Sequence, residues 1–120
     1  MKEEVKRWWN KANDDLRKAK DNLNIKNYDL SSFLCQQAVE KALKALLIEK
    51  KGDFPKIHDL FRLGKLVGLD EDLLKYCESL TSVYVETRYP DISNEKYNKE
   101  ESLKDIKITE EILKWIIKKI

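Results

Sequence analysis

The chain has 120 residues, 38% of them charged, with 24 basic against 22 acidic side chains and a net charge of +2. That length suits one domain, 1–120, with a real core, and the near-balance of charge does not announce a nucleic-acid protein, although a local basic patch can sit inside a neutral total. Two cysteines without a CxxC, one histidine and no long apolar run argue against a metal site, a disulfide framework, a secretory leader and a membrane span, so the expectation is a cytoplasmic protein with no cofactor.

Residues 3–23 read as the first helix, because Val5, Trp8/Trp9, Ala12, Leu16, Ala19 and Leu23 recur at three- and four-residue steps. Trp8 and Trp9 stand about 100° apart on such a helix, so one is expected in the core and the other at a boundary or interface. The acidic pairs at 14/15 and 70–72 read as solvated helix termini. Asn27 or Asp29 is placed to cap the next helix.

That next stretch, residues 28–51, contains no Gly or Pro and carries alanines at 38, 42 and 45. Leu34, Cys35, Ala38, Val39, Ala42, Leu43, Ala45 and Leu46 spread over much of the helix circumference, more than the stripe a surface helix needs. A helix this apolar belongs at the centre of a bundle. Gln36, Gln37, Glu40, Lys41 and Lys44 fill the remaining strip, either a solvated edge or one wall of a groove. Cys35, like Cys77, falls at an apolar position and is expected as a buried free thiol.

Gly52 and Pro55 stop the central helix. A short helix follows from His58 or Asp59 to Val67, with Leu60, Leu63 and Val67 inward. Asp70 caps a fourth, with Leu73, Leu74, Cys77, Leu80 and Tyr84 on its inner face, ending before Pro90. Residues 87–99 have no periodicity and are rich in turn formers. Asn98 with Glu101 resembles a capping box for a last helix that turns Leu103, Ile106, Leu113, Ile116/Ile117 and Ile120 inward. The periodicities together predict an all-α fold, an up-and-down bundle of four main helices plus one short helix.

Few residues point to chemistry. His58 is the only histidine, at a helix start where it can also serve the backbone. No serine sits in a nucleophile elbow and no glycine-rich loop cradles phosphate. Arg88, Tyr89 and Asp91 are more pointed. The chain is rich in lysine and has arginine only at 7, 17, 62 and 88, and Arg88 falls in the irregular stretch. A guanidinium can hold a phosphate or carboxylate through two parallel hydrogen bonds, and a neighbouring tyrosine can stack on a base. The competing reading is an Arg88–Asp91 pair that only organises the turn. Abundant Lys, Glu and Ile with few Gln is the composition of a thermophile.

FLCQQAVEKALKALL (33–47), IHDL (57–60) and TRYPD (87–91), in that order before a last amphipathic helix, resemble the HEPN domain family over almost the whole chain. The resemblance implies the helical bundle already read from periodicity. It further implies a homodimer, and either a partner half of a toxin–antitoxin-like module with a minimal nucleotidyltransferase, a ribonuclease, or a nucleotide-binding protein that cuts nothing. Ribonuclease members carry an arginine followed, after four to six residues, by a histidine. Arg88 matches that arginine, but Ser93, Asn94 and Glu95 stand where the histidine would be, which removes the expected proton-transfer group.

Three readings follow. The first is a non-catalytic binding module for nucleotide, RNA or a nucleotidyltransferase partner, through a groove lined by Gln37, Lys41, Lys44, His58, Arg88, Tyr89 and Asp91. Another is a ribonuclease of altered motif using Arg88 and His58. The third is a structural protein whose groove is only a dimer seam.

Overall fold

The computed structural model of the chain describes residues 1–87 and 97–120, and the side chains of Tyr84 and Val85 lie outside that description. The described residues form five α-helices and no strand: α1 (Glu3–Asn24), α2 (Tyr28–Lys51), α3 (Leu60–Val67), α4 (Glu71–Glu86) and α5 (Lys99–Ile117). Four are long and one is short, the bundle that the periodicities predict. Its central member is α2, which packs against each of the other four helices.

Composition explains that centrality. Cys35, Ala38, Val39, Ala42, Leu43, Ala45, Leu46 and Leu47 on α2 are all buried, and the alanines let α1 approach closely. The main core adds Ala12 and Ala19 from α1, Leu60 and Leu63 from α3, Cys77 and Leu80 from α4, and Ile106, Ile112, Leu113 and Ile116 from α5. Both cysteines are free and buried, as expected.

The helix ends are set locally. Gly52 takes the left-handed conformation (φ +82°) and donates its N–H to Ile48 O at 2.8 Å, closing α2. The Asp59 side chain accepts from Arg62 N and starts α3, and the Asn98 side chain accepts from Glu101 N at 2.9 Å and starts α5. Gly64 permits the close approach of α3 to α4, since a Cβ there would lie 2.8 Å from Leu74 Cδ1.

The details differ from expectation in four places. Asn27 occupies the N-cap position of α2, but its amide donates to Asn22 Oδ1, while Asp29 Oδ1 accepts only from its neighbour Leu30 N, so neither side chain makes the expected cap. Both tryptophans are partly buried, so both take the boundary position expected of one and neither is fully in the core. Asp15 is buried, not a solvated terminus. On α5, Leu103 and Ile117 are exposed, because the inward stripe runs through Ser102, Asp105, Thr109, Ile112 and Ile116 instead. Ser102 belongs there because its hydroxyl donates to Tyr28 O at 2.7 Å and accepts from Ser32, tying α5 to α2.

Among the described residues no helix is long and apolar enough to cross a membrane, and no group of three His, Cys, Asp or Glu side chains is arranged to hold a metal ion.

Candidate functional site

The polar strip of α2 has two rows. Gln36, Glu40 and Lys44 succeed one another at four-residue steps and are all buried, while Gln37 and Lys41 lie beside them, partly exposed. The strip is therefore not a solvated edge. It is covered by Trp8 from α1 and by Phe54 and His58 from the segment between α2 and α3.

Burying these groups is tolerable only if their hydrogen bonds are supplied internally. Glu40 supplies most of them. Its carboxylate accepts from Lys44 Nζ at 3.0 Å and from Gln36 Nε2 at 3.3 Å, and His58 Nδ1 lies 3.0 and 3.1 Å from its two oxygens. Gln36 in turn accepts from Gln37 Nε2 at 2.6 Å. A carboxylate facing an ammonium can only accept, so Nδ1 is the imidazole nitrogen that carries the proton. The His58 side chain is more than half exposed, whereas that of Glu40 is 7% exposed. A buried carboxylate thus orients an accessible imidazole. The cap of α3 falls to Asp59, and Nδ1 of His58 is committed to Glu40 rather than to the helix start.

The Lys44 ammonium is also held by aromatic rings. It lies 5.1 Å from the Phe54 centroid and 5.9 Å from that of Trp8, and the two rings meet edge to face at 4.9 Å. Lys41 turns the other way and pairs with Asp15 of α1, which also receives Lys11 at 3.5 Å. Gln37, Lys44 and His58 therefore share one network through Glu40 and Gln36, while Lys41 belongs to the α1–α2 interface.

Arg88, Tyr89 and Asp91 lie outside the described residues. The positions that flank them are anchored: Tyr97 Oη donates to Glu86 Oε2 at 2.8 Å, which fixes where the chain leaves α4 and where it returns. Burial and the adjacent Glu86 both push the Tyr97 phenol well above its ordinary value, so it stays a donor.

Sequence reasoning misses the roles of Glu40 and Asp15. Glu40 has one usable signal, its place four residues from both Gln36 and Lys44 in an otherwise apolar helix. Asp15 shows only Lys11 four residues before it, a spacing that suits a solvated face as well, and the partner across the interface, Lys41, is 26 residues away.

The family model for the HEPN domain matches residues 5–120. Among solved structures, TT1696 from Thermus thermophilus is similar, with a TM-score of 0.87 and 28% identity, the match covering 97% of this chain and 98% of that one. ST0689, described as an archaeal HEPN homologue, is similar with a TM-score of 0.81 and 31% identity, covering 98% of both chains. No curated protein gives a significant match.

Proposed function

The chain belongs to the HEPN domain family, and from that premise we propose that it is a non-catalytic, homodimeric binding module. Its ligand is a nucleotide, RNA or a minimal nucleotidyltransferase partner of a toxin–antitoxin-like pair. Recognition uses Arg88, Tyr89 and Asp91 together with His58, whose imidazole is backed by Gln37 and Lys44.

The observation that carries this reading is the residue set after Arg88. Ser93, Asn94 and Glu95 occupy the positions where a ribonuclease of the family has its histidine. Arg88 can steady a phosphate but stays protonated and cannot take a proton from a 2′-hydroxyl. The strip supports binding more than turnover, because Lys44 and Gln37 are bonded within the protein and serve as a stiff backing for the exposed imidazole.

One observation favours a second reading. The Glu40–His58 pair has the geometry by which a carboxylate fixes the tautomer of a general base, so a ribonuclease of altered motif would use His58 with Arg88.

Pure protein incubated with labelled single-stranded RNA and with tRNA, with and without EDTA, separates the two readings. The expected result is intact RNA. Binding should fall by roughly ten- to a hundredfold on Arg88→Ala, the loss of charge-assisted hydrogen bonds, and change little on Arg17→Ala. Arg88→Lys should rescue poorly, since lysine keeps the charge but loses the fork. Equal effects of the two alanine variants would remove Arg88 from the site, and cleavage abolished by both Arg88→Ala and His58→Ala would establish the enzyme.

A further inference from the structure

Between α1 and α5 runs a furrow with an apolar floor. Both helices pack chiefly on α2 and meet each other only lightly, which leaves the line between them open. A recess of about 260 Å³ lies along it, with Trp9 and Leu16 on the α1 side and Glu110, Leu113, Lys114 and Ile117 on the α5 side. Leu113 is buried at the bottom, Trp9 and Leu16 are partly buried, and Ile117 is 42% exposed at the lip. Trp9 and Leu16 are seven residues apart, as are Glu110 and Ile117, so each pair returns to one face after two turns.

The rim of this furrow is charged unevenly. Glu110 is the carboxylate that lines the recess, and it is taken by Lys20, which reaches it from α1 at 3.1 Å. Lys114 stands beside the floor, Lys6 lies one turn before Trp9, and Lys118 lies one turn after Lys114, all three exposed. None of them makes an ion pair among the described residues, although Glu3 and Glu111 precede Lys6 and Lys114 by three residues. Unpaired surface lysines are ordinary by themselves. What distinguishes these is the apolar floor that they border.

Two other recesses with apolar walls are balanced in charge. Between α3 and α4, Lys65 and Lys75 face Glu71 and Glu78, and between α4 and α5, Lys104 and Lys107 face Glu100 and Glu101. A two-fold contact sets a surface against itself. That suits a balanced recess, and it opposes like charges where the edge is cationic. The α1–α5 furrow therefore fits a different chain from this one.

We propose that the furrow docks an acidic amphipathic helix of a partner protein. The helix lays its apolar side chains over Trp9, Leu16 and Ile117, and its flanking Asp and Glu side chains face Lys6, Lys114 and Lys118. The groove between two packed helices accepts the side-chain ridge of a third. Apolar burial supplies the affinity, and the lysines select the sign of the partner's charge. This docking surface goes beyond the binding-module reading and uses none of its residues.

Fluorescence anisotropy with the full chain and a labelled synthetic peptide tests it. The probe is an alanine-based helix of about 18 residues with leucines on one face and glutamates flanking them. One control has lysines in place of the glutamates, and another has the same composition in scrambled order. The acidic helix should bind at least about tenfold tighter than either control, and binding should weaken as salt is raised. Ile117→Asp and Lys114→Glu should each weaken it by about tenfold or more with unchanged helicity and melting temperature, because both positions are exposed. Should Ile117→Asp fold poorly, Lys114→Glu decides alone. Leu103→Glu, in the α4–α5 groove, should leave binding unchanged. No saturation by about 1 mM peptide, equal binding of the scrambled control, or an equal loss on Leu103→Glu would overturn the proposal. If Arg88→Ala abolishes peptide binding and Lys114→Glu does not, the peptide belongs to the binding-module site, and this proposal falls while that reading stands. If the chain instead sediments with phosphatidylserine vesicles, loses them on Ile117→Asp and ignores the peptide, the face meets a membrane and the proposal falls.

Discussion

Glu40 shows how much one buried side chain can organise. It is 5% exposed and faces Lys44, Gln36 and His58, each from a different direction. Removing one member of a buried ion pair costs about 3–5 kcal/mol, because the other charge stays buried and uncompensated. Glu40→Gln should therefore lower urea-unfolding stability by that amount, whereas Glu40→Leu with Lys44→Met should recover most of it. A Glu40→Gln loss within experimental error would mean that water, not Glu40, compensates Lys44. The sequence does not show this role, because periodicity assigns polar residues to solvent and says nothing of the covering that His58 and Phe54 bring from the segment after the helix. Asp15 is misread for the same reason, and Lys41 is placed in a groove when its partner is on α1. The cysteines are easier to read, since each falls in the apolar stripe of its helix, with Leu73 and Leu80 around Cys77 and Ala38 and Val39 after Cys35. Burial pushes both thiols up to about 12.

The helices themselves are legible where stop signals and periodicity agree. Residues 28–51 run uninterrupted to a left-handed Gly52, and the expected bounds are the observed ones. Asn98 caps α5 as its spacing to Glu101 suggests. The face of α5 is misplaced by ranking apolar residues alone: Ser102 and Thr109 are fully buried because their hydroxyls bond to backbone carbonyls, Thr109 to that of Asp105, and they carry the stripe past Leu103. The element that tests this architecture is α2. Leu46 is fully buried at its centre, so Leu46→Ala should cost about 2–5 kcal/mol as a large-to-small core change. Chemical denaturation followed by far-UV circular dichroism reads this directly. A cost near zero would mean that the core is not organised around α2.

At the scale of the molecule, the Cα radius of gyration is 13.6 Å, the value of about 13–14 Å expected for a compact chain of this length. The core is closed by the chain's own helices, so any dimer must form on surface already present. The groove between α4 and α5 offers one: Tyr76 and Leu103 are 41% and 37% exposed side by side, with Ile108 beneath and Glu100, Glu101, Lys104 and Lys107 around them. A two-fold interface must be self-complementary. If two copies of α5 cross antiparallel near Leu103, Glu100 of each faces Lys107 of the other, and the exposed Leu103 and Tyr76 pair across the axis. The tryptophan that the sequence assigns to a boundary or interface is on a different surface, where Trp8 packs on Phe54 and Lys44. Light scattering at micromolar concentration should give the dimer mass, and Leu103→Glu should give the monomer mass with unchanged helicity. A monomer mass for the unsubstituted chain would rule out the homodimer. A dimer that survives Leu103→Glu would move the seam away from α5, with Trp9→Ala as the next substitution to weigh against it.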